Sequence, residues 1–363
     1  MWETPPLTSL QGCIADPFLP IGMRMRAAYF LRHLHDTQAA DQDTIVETLA
    51  NALLDPRHGS LMRHEFAYVM GQLRDERCCP VLETILQDDA DCVMVRHEAA
   101  EALGAIGAQR SQQALMTVME QSQDRPELSD TCQLAVNVMS WRANGGDPEQ
   151  APAQCACMLN PYSTVDPAPP HPSHINKTAE ELGDILCNVQ EQMFERYRAM
   201  FSLRNIGGAD CVLQLCRALT KDASSPLLRH EVAYVLGQLQ HPDSVEALEE
   251  SLRRQDEHEM VRHESAEALG AIEGRWEDCE RILEEFTKDQ NIVVRESCMV
   301  ALDAADYWGH TTCVNDEDDD DDDNNDPDDT GADTLAPNKS QSNDTSAPTP
   351  PNRILVNHFN VKD

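Results

Sequence analysis

Aromatic residues and positive charge are both scarce in this 363-residue chain. Aromatic side chains make up 5% of the residues, whereas hydrophobic residues together reach 41%. The strands of β-sandwiches use aromatic and β-branched residues, so this composition favours packed helices. Lys and Arg number 28 against 64 Asp and Glu, which gives a formal charge of −36. Nucleic acid needs basic residues to neutralise its phosphates, so we exclude it as a partner and expect a cationic one.

Several other signals are missing. No run of about 18 uncharged apolar residues exists, so we expect no membrane-spanning helix. The first twenty residues lack the basic start and apolar run of a signal peptide. The 13 cysteines are scattered and include no CxxC pair, so we expect reduced thiols in a cytoplasmic protein, with a nuclear pool left open. HExxH, P-loop, GxGxxG and GxSxG patterns are absent as well.

A repeated His-Glu pair is what the sequence does contain. The stretches VRHEAAEALGAI (95–106) and VRHESAEALGAI (261–272) match at 11 of 12 positions. LMRHEFAYVMGQL (61–73) and LLRHEVAYVLGQL (227–239) match at 10 of 13. The two pairs of each half are 33 residues apart, and the halves are offset by 166. The four pairs are His64-Glu65, His97-Glu98, His230-Glu231 and His263-Glu264.

The repeats predict the fold. Apolar residues within a unit recur at helical spacing, as they do from Phe66 to Leu73, and Ser225 followed by Pro226 is a typical helix start. Four diverged copies of the repeat lack the His-Glu pair; they begin at Arg26, Thr131, Arg198 and Arg295. The sequence therefore predicts an all-α protein, an α-solenoid of eight HEAT-like helical-hairpin repeats in two duplicated four-repeat blocks.

The composition changes along the chain at three points. We predict a first HEAT-like block over 1–146, a Pro-rich linker over 147–178 and a second block over 179–310. Residues 311–363 hold 14 acidic and 3 basic residues and few apolar ones, so we expect a disordered acidic tail. Residues 1–310 still carry a formal charge of −25, so the predicted folded part is itself acidic.

Four pairs in one register favour a single site over a solvated helix face, because the other four units fold without the pair. Equivalent residues on neighbouring helices lie about 10 Å apart, so two adjacent units can share one ion. If the blocks face each other about a pseudo-twofold axis, four His and four Glu gather in one cleft. Imidazole and carboxylate without thiolate suit Fe or Mn, with Zn possible. Adjacent residues on a helix diverge by about 100°, so we expect some of the Glu to be free for substrate.

Other repeated residues lie close to the pairs. One helical turn further along, the candidates for orienting the His are Tyr68, Tyr234, Glu101 and Glu267, with plain packing or surface charge as the alternative. The repeated glycines are expected to permit close helix approach and to have no chemical role; they are Gly71, Gly104, Gly237 and Gly270.

The four R-H-E units, the segment NPYSTVDPAPP and the two copies of AEALGAI resemble the deoxyhypusine hydroxylase family over about residues 20–310. The resemblance implies a HEAT-repeat di-iron monooxygenase that uses O2 to hydroxylate the deoxyhypusine side chain of a translation initiation factor. This reaction is the last step of hypusine formation. The acidic tail falls outside the resemblance, and the electron donor is left open.

The resemblance also implies roles for the eight residues. It implies two Fe(2+) per chain, one held by His64, His97 and Glu98 and the other by His230, His263 and Glu264. Glu65 and Glu231 are then expected to bind the substrate amines or to lie near the metals.

Two other functions stay open on the residues alone. HEAT-like repeats mostly bind proteins on their concave face, so a non-enzymatic adaptor with the His-Glu row as a polar recognition strip is one alternative. A zinc-dependent hydrolase that uses the same ligands is the other. Metal content and redox sensitivity separate the three.

Overall fold

The computed structural model describes residues 4–146 and 156–313, with side chains up to Tyr307. All regular structure in these ranges is helical, and none of the described helices is long and apolar enough to cross a membrane. The α-helices are α1 Leu7–Ala15, α2 Ile21–Asp36, α3 Gln42–Leu54, α4 Gly59–Leu73, α5 Cys79–Gln87, α6 Val93–Ile106, α7 Gln112–Gln121, α8 Pro126–Ala143, α9 Ala179–Cys187, α10 Met193–Ile206, α11 Ala209–Lys221, α12 Pro226–Leu239, α13 Val245–Arg253, α14 Glu259–Ala271, α15 Trp276–Phe286 and α16 Ile292–Cys313.

The helices form two layers. Each odd-numbered helix packs against the even-numbered helix that follows it, and within each block the even-numbered helices pack against one another in sequence. The even-numbered helices that carry the His-Glu pairs are heavily buried, such as α4, where every residue from Leu61 to Leu73 is buried. The predicted all-α solenoid is confirmed. The count of eight HEAT-like repeats and the block boundaries stay predictions.

The two blocks meet at both ends. At the middle of the chain α8 contacts α10 and α12, and at the far side α16 contacts α2 and α4. Val300 and Ala304 of α16 belong to the apolar core of the first block. On the surface of this junction Arg26 pairs with Asp303 and stacks 4.3 Å from the centre of the Tyr307 ring. The inner helices therefore close into a ring, which turns the His-Glu helices of the two blocks toward each other.

Glycines let the inner helices approach closely. A Cβ at Gly71 would lie 2.7 Å from the Cα of Ala102, and one at Gly104 would lie 2.8 Å from the Cβ of Ala135. Such distances are too short for packed carbon atoms, so only glycine fits there. The predicted packing role is confirmed for these two residues.

The arginines of three of the four R-H-E motifs share a structural role that the sequence analysis did not assign. The Nε of Arg63, Arg96 and Arg262 donates to the carbonyl ten residues earlier, on Leu53, Leu86 and Leu252, at 2.7, 3.0 and 2.9 Å. These bonds join the start of α4, α6 and α14 to the end of the preceding helix. Arg229 of α12 donates instead to the Asp222 carbonyl at 3.0 Å and to Glu257. In α10 the bond to the carbonyl ten residues earlier, at 2.7 Å, comes from Arg196 to Leu186. The frame of this unit therefore begins at Arg196, two residues before the predicted Arg198.

Residues 156–178, the described part of the predicted linker, pack on the inner layer with two 3-10 turns, Ala156–Met158 and Pro172–His174. We call residues 160–167 the strap. The Val165 N–H donates to Gln72 Oε1 of α4 at 2.9 Å, and Arg204 of α10 donates to both oxygens of Asp166 at 2.7 and 2.6 Å. The strap is thus held by both blocks. Residues 147–155 of the predicted linker and 314–363 of the predicted tail lie outside the described residues.

Candidate metal centre

The four His-Glu pairs project from the inner helices α4, α6, α12 and α14 into the middle of the ring. All eight side chains are buried, with residue exposures of 0–5%. The ring centre of His64 lies 5.3 Å from those of His97 and His263 and 6.0 Å from that of His230. The rings of His230 and His263 are 5.3 Å apart. The two His-Glu pairs of the first block therefore lie in one cluster with the equivalent pairs of the second block, 166 residues later in the sequence.

Local sequence sets the start of one of these helices. Ser225 caps α12 by accepting from the Leu228 N–H at 3.3 Å, and Pro226 occupies the first helical position. The predicted helix start is confirmed. It places His230 in the second turn of α12, where the side chain points into the ring beside α14.

The cluster contains many buried polar atoms without hydrogen bonds. Within the described residues, neither ring nitrogen of His97, His230 or His263 has a hydrogen-bond partner, and the same holds for Glu264 Oε1. His64 Nε2 lies 3.2 Å from Glu98 Oε2, but the two are poorly aligned for a hydrogen bond. Unpaired buried polar atoms are costly, and lone pairs that converge without donors are what a metal ion satisfies. The residues present therefore fit a metal.

The donor atoms fall into groups that can hold an ion. Ligand atoms of His230, His263 and Glu264 lie within 4.8 Å of one another, and these are one of the two predicted ligand sets. The other predicted set is divided between two groups of the same size. They are His64, His97 and His230, and His97, Glu98 and Glu101. The structure thus brings the residues of both sets together and adds Glu101 as a further carboxylate.

Burial and crowding shift the pKa values of the site. Burial, with the neighbouring carboxylates Glu98 and Asp166 adding to it, raises the pKa of Glu231 to about 8. Burial and Glu65 likewise raise the pKa of Glu267 to about 8. An excess of negative charge in a low-dielectric site is what a divalent cation neutralises.

The imidazoles behave differently from the carboxylates. Burial and the other His rings lower the pKa values of His97, His230 and His263, which keeps these rings neutral and able to donate a lone pair. For His64, burial acts against the charged form, but Glu98 and Glu65 outweigh it and raise the pKa. A metal cation at this site would neutralise Glu98 and Glu65 in place of the proton on His64.

Hydroxyl groups hold some of the carboxylates. The Tyr29 hydroxyl donates to Glu65 Oε2 at 2.6 Å, and Ser297 Oγ donates to Glu267 Oε1 at 2.8 Å. His263 Nδ1 lies 3.5 Å from Glu267 Oε1, but the two atoms do not form a hydrogen bond. Sequence reasoning missed Tyr29 and Ser297, because both lie in repeats without a His-Glu pair.

A cleft of about 470 Å³ opens onto the cluster. Its walls include Tyr68 and Tyr234 and the strap residues Val165, Asp166 and Pro167. The two tyrosine hydroxyls lie 3.1 Å from each other, so they are in contact across the cleft. The predicted linker thus forms part of the cleft wall, which its composition did not indicate.

Repeated helical hairpins around a buried cluster of His and carboxylates define a HEAT-repeat protein with a candidate metal centre, and the model for HEAT repeats matches residues 46–133, 194–270 and 213–303. The chain is 46% identical over 299 residues to the deoxyhypusine hydroxylase of Xenopus laevis, covering 82% of this chain and 90% of that protein. It therefore belongs to the deoxyhypusine hydroxylase family.

Two further relatives have the same name. The deoxyhypusine hydroxylase of Danio rerio is 44% identical over 284 residues, which covers 78% of this chain and 86% of that protein. The solved structure of human deoxyhypusine hydroxylase in complex with glycerol is 40% identical, with a TM-score of 0.73 and coverage of 83% of this chain and 96% of that one.

Proposed function

We propose that this chain hydroxylates the deoxyhypusine side chain of a translation initiation factor, using O2 and two iron ions. The observation that carries the proposal is the buried cluster of four His and its carboxylates in a chain of this family. Buried His rings without hydrogen-bond partners have no role in a surface that only binds proteins. The adaptor alternative therefore has no support from the site.

Two sets of residues would hold the iron ions. His230, His263 and Glu264 form one set, and His64, His97 and Glu98 form the other. Neutral imidazole and carboxylate without thiolate suit ferrous iron. When bound, iron would supply the redox chemistry that activates O2 toward an unactivated C–H bond, with the net electrons coming from an external reductant.

The chain itself binds and orients the substrate. Deoxyhypusine is a long alkyl chain with two amines, and the charge of −36 on the whole chain favours its approach. Glu231 faces the cleft and is 3% exposed, so its carboxylate is placed to bind an ammonium group and hold the chain in one orientation. Glu65, held by Tyr29 and 3.1 Å from His64 Nδ1, lies near the metals instead.

The reaction needs an external reductant. One oxygen atom of O2 enters the C–H bond to give C–OH, and the other leaves as water with two protons and two electrons. A one- or two-electron reductant, either a small molecule or a redox protein, supplies these electrons.

Incubation of the iron-loaded chain with deoxyhypusine-bearing factor, reductant and 18O2 tests the proposal. We expect the factor to gain one oxygen atom of the heavy isotope in its mass spectrum. A variant with His97→Ala and His263→Ala, matched to wild type for helicity, should give no gain. An unmodified factor after incubation with the folded, iron-loaded wild-type chain would contradict the proposal.

A further inference from the structure

The pseudo-twofold symmetry of the cleft is broken at its carboxylates. Glu65 and Glu231 are equivalent, 166 residues apart, but only Glu65 accepts a hydroxyl hydrogen bond, from Tyr29 at 2.6 Å. The stretch RMRAAYFLR (24–32) aligns with RYRAMFSLR (196–204), and there Phe201 stands in the place of Tyr29. Phenylalanine has no hydroxyl, and no hydrogen-bond donor of the described residues meets the Glu231 carboxylate.

A second pair of equivalent carboxylates shows the same asymmetry. Glu267 accepts from Ser297 at 2.8 Å, whereas the residue that corresponds to Ser297 in the first block is Thr131. The Thr131 hydroxyl donates at 2.7 Å to the carbonyl of Glu127 in its own helix. Glu101, the counterpart of Glu267, accepts no hydrogen bond within the part of the chain that the structure describes.

The two carboxylates without hydroxyl partners line the cleft together with the strap. Glu231 of the second block and Glu101 of the first share the cleft wall with Asp166, and Glu101 also borders the annex described below. Glu65 and Glu267 line the same cleft, and each accepts its hydroxyl hydrogen bond. We call the pair Glu101 and Glu231 the open end and the pair Glu65 and Glu267 the bonded end. Each end combines residues of both blocks, as a pseudo-twofold axis through the cluster requires.

An apolar cavity adjoins the open end. This annex is a narrow recess that shares Glu101, Val165 and Pro167 with the main cleft. Its other walls are mostly apolar side chains of α8, among them Leu134 and Val138. The annex thus gives an apolar surface beside a carboxylate without a hydrogen-bond donor.

The strap fixes the wall of the annex. Asp166 is tied to Arg204, whose guanidinium also stacks 5.0 Å from the centre of the Tyr162 ring. Gln72 of the first block holds Val165, and Gln238, its equivalent in the second block, approaches Thr164 at 3.5 Å. Matching side chains of both blocks therefore hold one asymmetric segment, which is what distinguishes one end of the cleft from the other.

We propose that Glu101 is a substrate-binding residue and that the cleft accepts its substrate in one direction. An alkyl stem of the substrate side chain packs against the apolar wall of the annex, and Glu101 and Glu231 bind the adjacent ammonium group. A carboxylate without a hydrogen-bond donor gains charge-assisted hydrogen bonds when an ammonium group arrives. At the bonded end, Glu65 and Glu267 keep their hydrogen bonds from Tyr29 and Ser297. This assignment rests on the proposed function, because it takes the substrate to be an alkyl amine chain.

Glu101→Gln and its symmetry-related control Glu267→Gln test the assignment. Calorimetric binding of a deoxyhypusine-bearing peptide to the iron-loaded full chain, without O2, measures affinity apart from turnover. We expect Glu101→Gln to weaken binding by about 10- to 100-fold, the effect of losing a charge-assisted hydrogen bond. Glu267→Gln should change the affinity by less than about threefold. Equal weakening in both variants, or none in Glu101→Gln, would overturn the proposal.

Iron content distinguishes a substrate-binding residue from a ligand. Both variants should keep the iron content of wild type by elemental analysis. Loss of iron from Glu101→Gln alone would make Glu101 a metal ligand and overturn the assignment. A separate variant, Val165→Phe, narrows the annex from the partly exposed strap. It should weaken binding of the peptide and leave binding of methylammonium, which has no alkyl stem, unchanged; equal effects on both ligands would exclude the annex as the site of the stem.

The outcomes separate this proposal from the proposed function. Peptide binding that depends on Glu101 in a chain that hydroxylates nothing would reject the function and keep the binding site. Hydroxylation by wild type, together with a peptide affinity that is the same in wild type and Glu101→Gln, would support the proposed function and reject the proposed direction of substrate binding.

Discussion

The hydroxyl oxygens of Tyr68 and Tyr234, which are 166 residues apart in the chain, lie 3.1 Å from each other. These equivalent residues of the two blocks meet on the pseudo-twofold axis of the cleft. Tyr234 also accepts a hydrogen bond from Gln238 Nε2 at 3.1 Å, so the contact continues to a residue that borders the strap. The pair thus joins the two blocks directly above the His cluster.

Tyr68→Phe and Tyr234→Phe, singly and together, measure this contact. We expect a coupling free energy of about 0.5–1.5 kcal/mol between the two substitutions, because each removes one side of the same hydrogen bond. Urea unfolding of wild type and the three variants gives the value. Strictly additive losses of stability would show that the two hydroxyls do not interact.

Gly104→Ala should destabilise the fold. Its new methyl group would lie 2.8 Å from the Cβ of Ala135, so α6 and α8 must separate, at a cost of about 1–3 kcal/mol in unfolding free energy. Gly12→Ala in α1 is the matched control, because nothing lies within 4 Å of its new Cβ. That change should stabilise by about 0.5–1 kcal/mol through helix propensity. Thermal unfolding of both variants is the measurement, and a neutral Gly104→Ala would refute the close approach.

Arg262→Met should destabilise the second block. Arg262 donates to Leu252 and pairs with Asp289 at 2.6 Å, with both side chains 5% exposed, so its loss leaves a buried carboxylate without its partner. We expect a loss of about 3 kcal/mol in unfolding free energy. The control is Arg57→Ala, whose pair with Asp55 is solvent-exposed and contributes little. Equal effects of the two changes in urea unfolding would disprove the structural role of the motif arginine.

His174 should make the protein sensitive to acid. Burial, with the positive charges of His171 and Arg198 adding to it, lowers the pKa of His174 from 6.5 to about 4. The unfolded chain then binds this proton before the folded one does, so stability present above pH 6.5 is lost as the pH falls toward 4. We expect about 2 kcal/mol less unfolding free energy at pH 5 than at pH 7.5 from this residue.

Comparison with His174→Asn isolates that contribution from those of the buried His cluster. The variant loses the contact of His174 Nδ1 with Ser202 Oγ at 2.8 Å, so its stability should be lower than that of wild type at pH 7.5. The difference between the two proteins should shrink by pH 5. An equal pH dependence in both proteins would contradict the lowered pKa.

Much of the fold could be predicted from the sequence because the fold is built from repeats. Residues at the same position of successive repeats lie on the same face of successive hairpins, so the spacing of 33 between His64 and His97 already indicated neighbours in space. The offset of 166 between halves similarly predicted that His64 and His230 are equivalent. The structure places their ring centres 6.0 Å apart.

The asymmetric features of the site were not predictable in this way. The strap has a Pro-rich composition without periodicity, and its position depends on contacts such as Gln72 with Val165, which are 93 residues apart. The hydroxyl of Tyr29 on Glu65 is likewise a contact between different repeats. Such contacts join parts of the chain that no local pattern relates. The difference between the blocks is nevertheless visible in the sequence, because alignment of Arg24 with Arg196 places Phe201 opposite Tyr29.

Elemental analysis of the purified chain, combined with anomalous diffraction at the iron edge, measures whether the four His hold iron. We predict two iron ions per chain, one beside His230, His263 and Glu264 and the other beside His64, His97 and Glu98. A folded chain that binds no metal at the four His when ferrous iron is added would contradict this prediction.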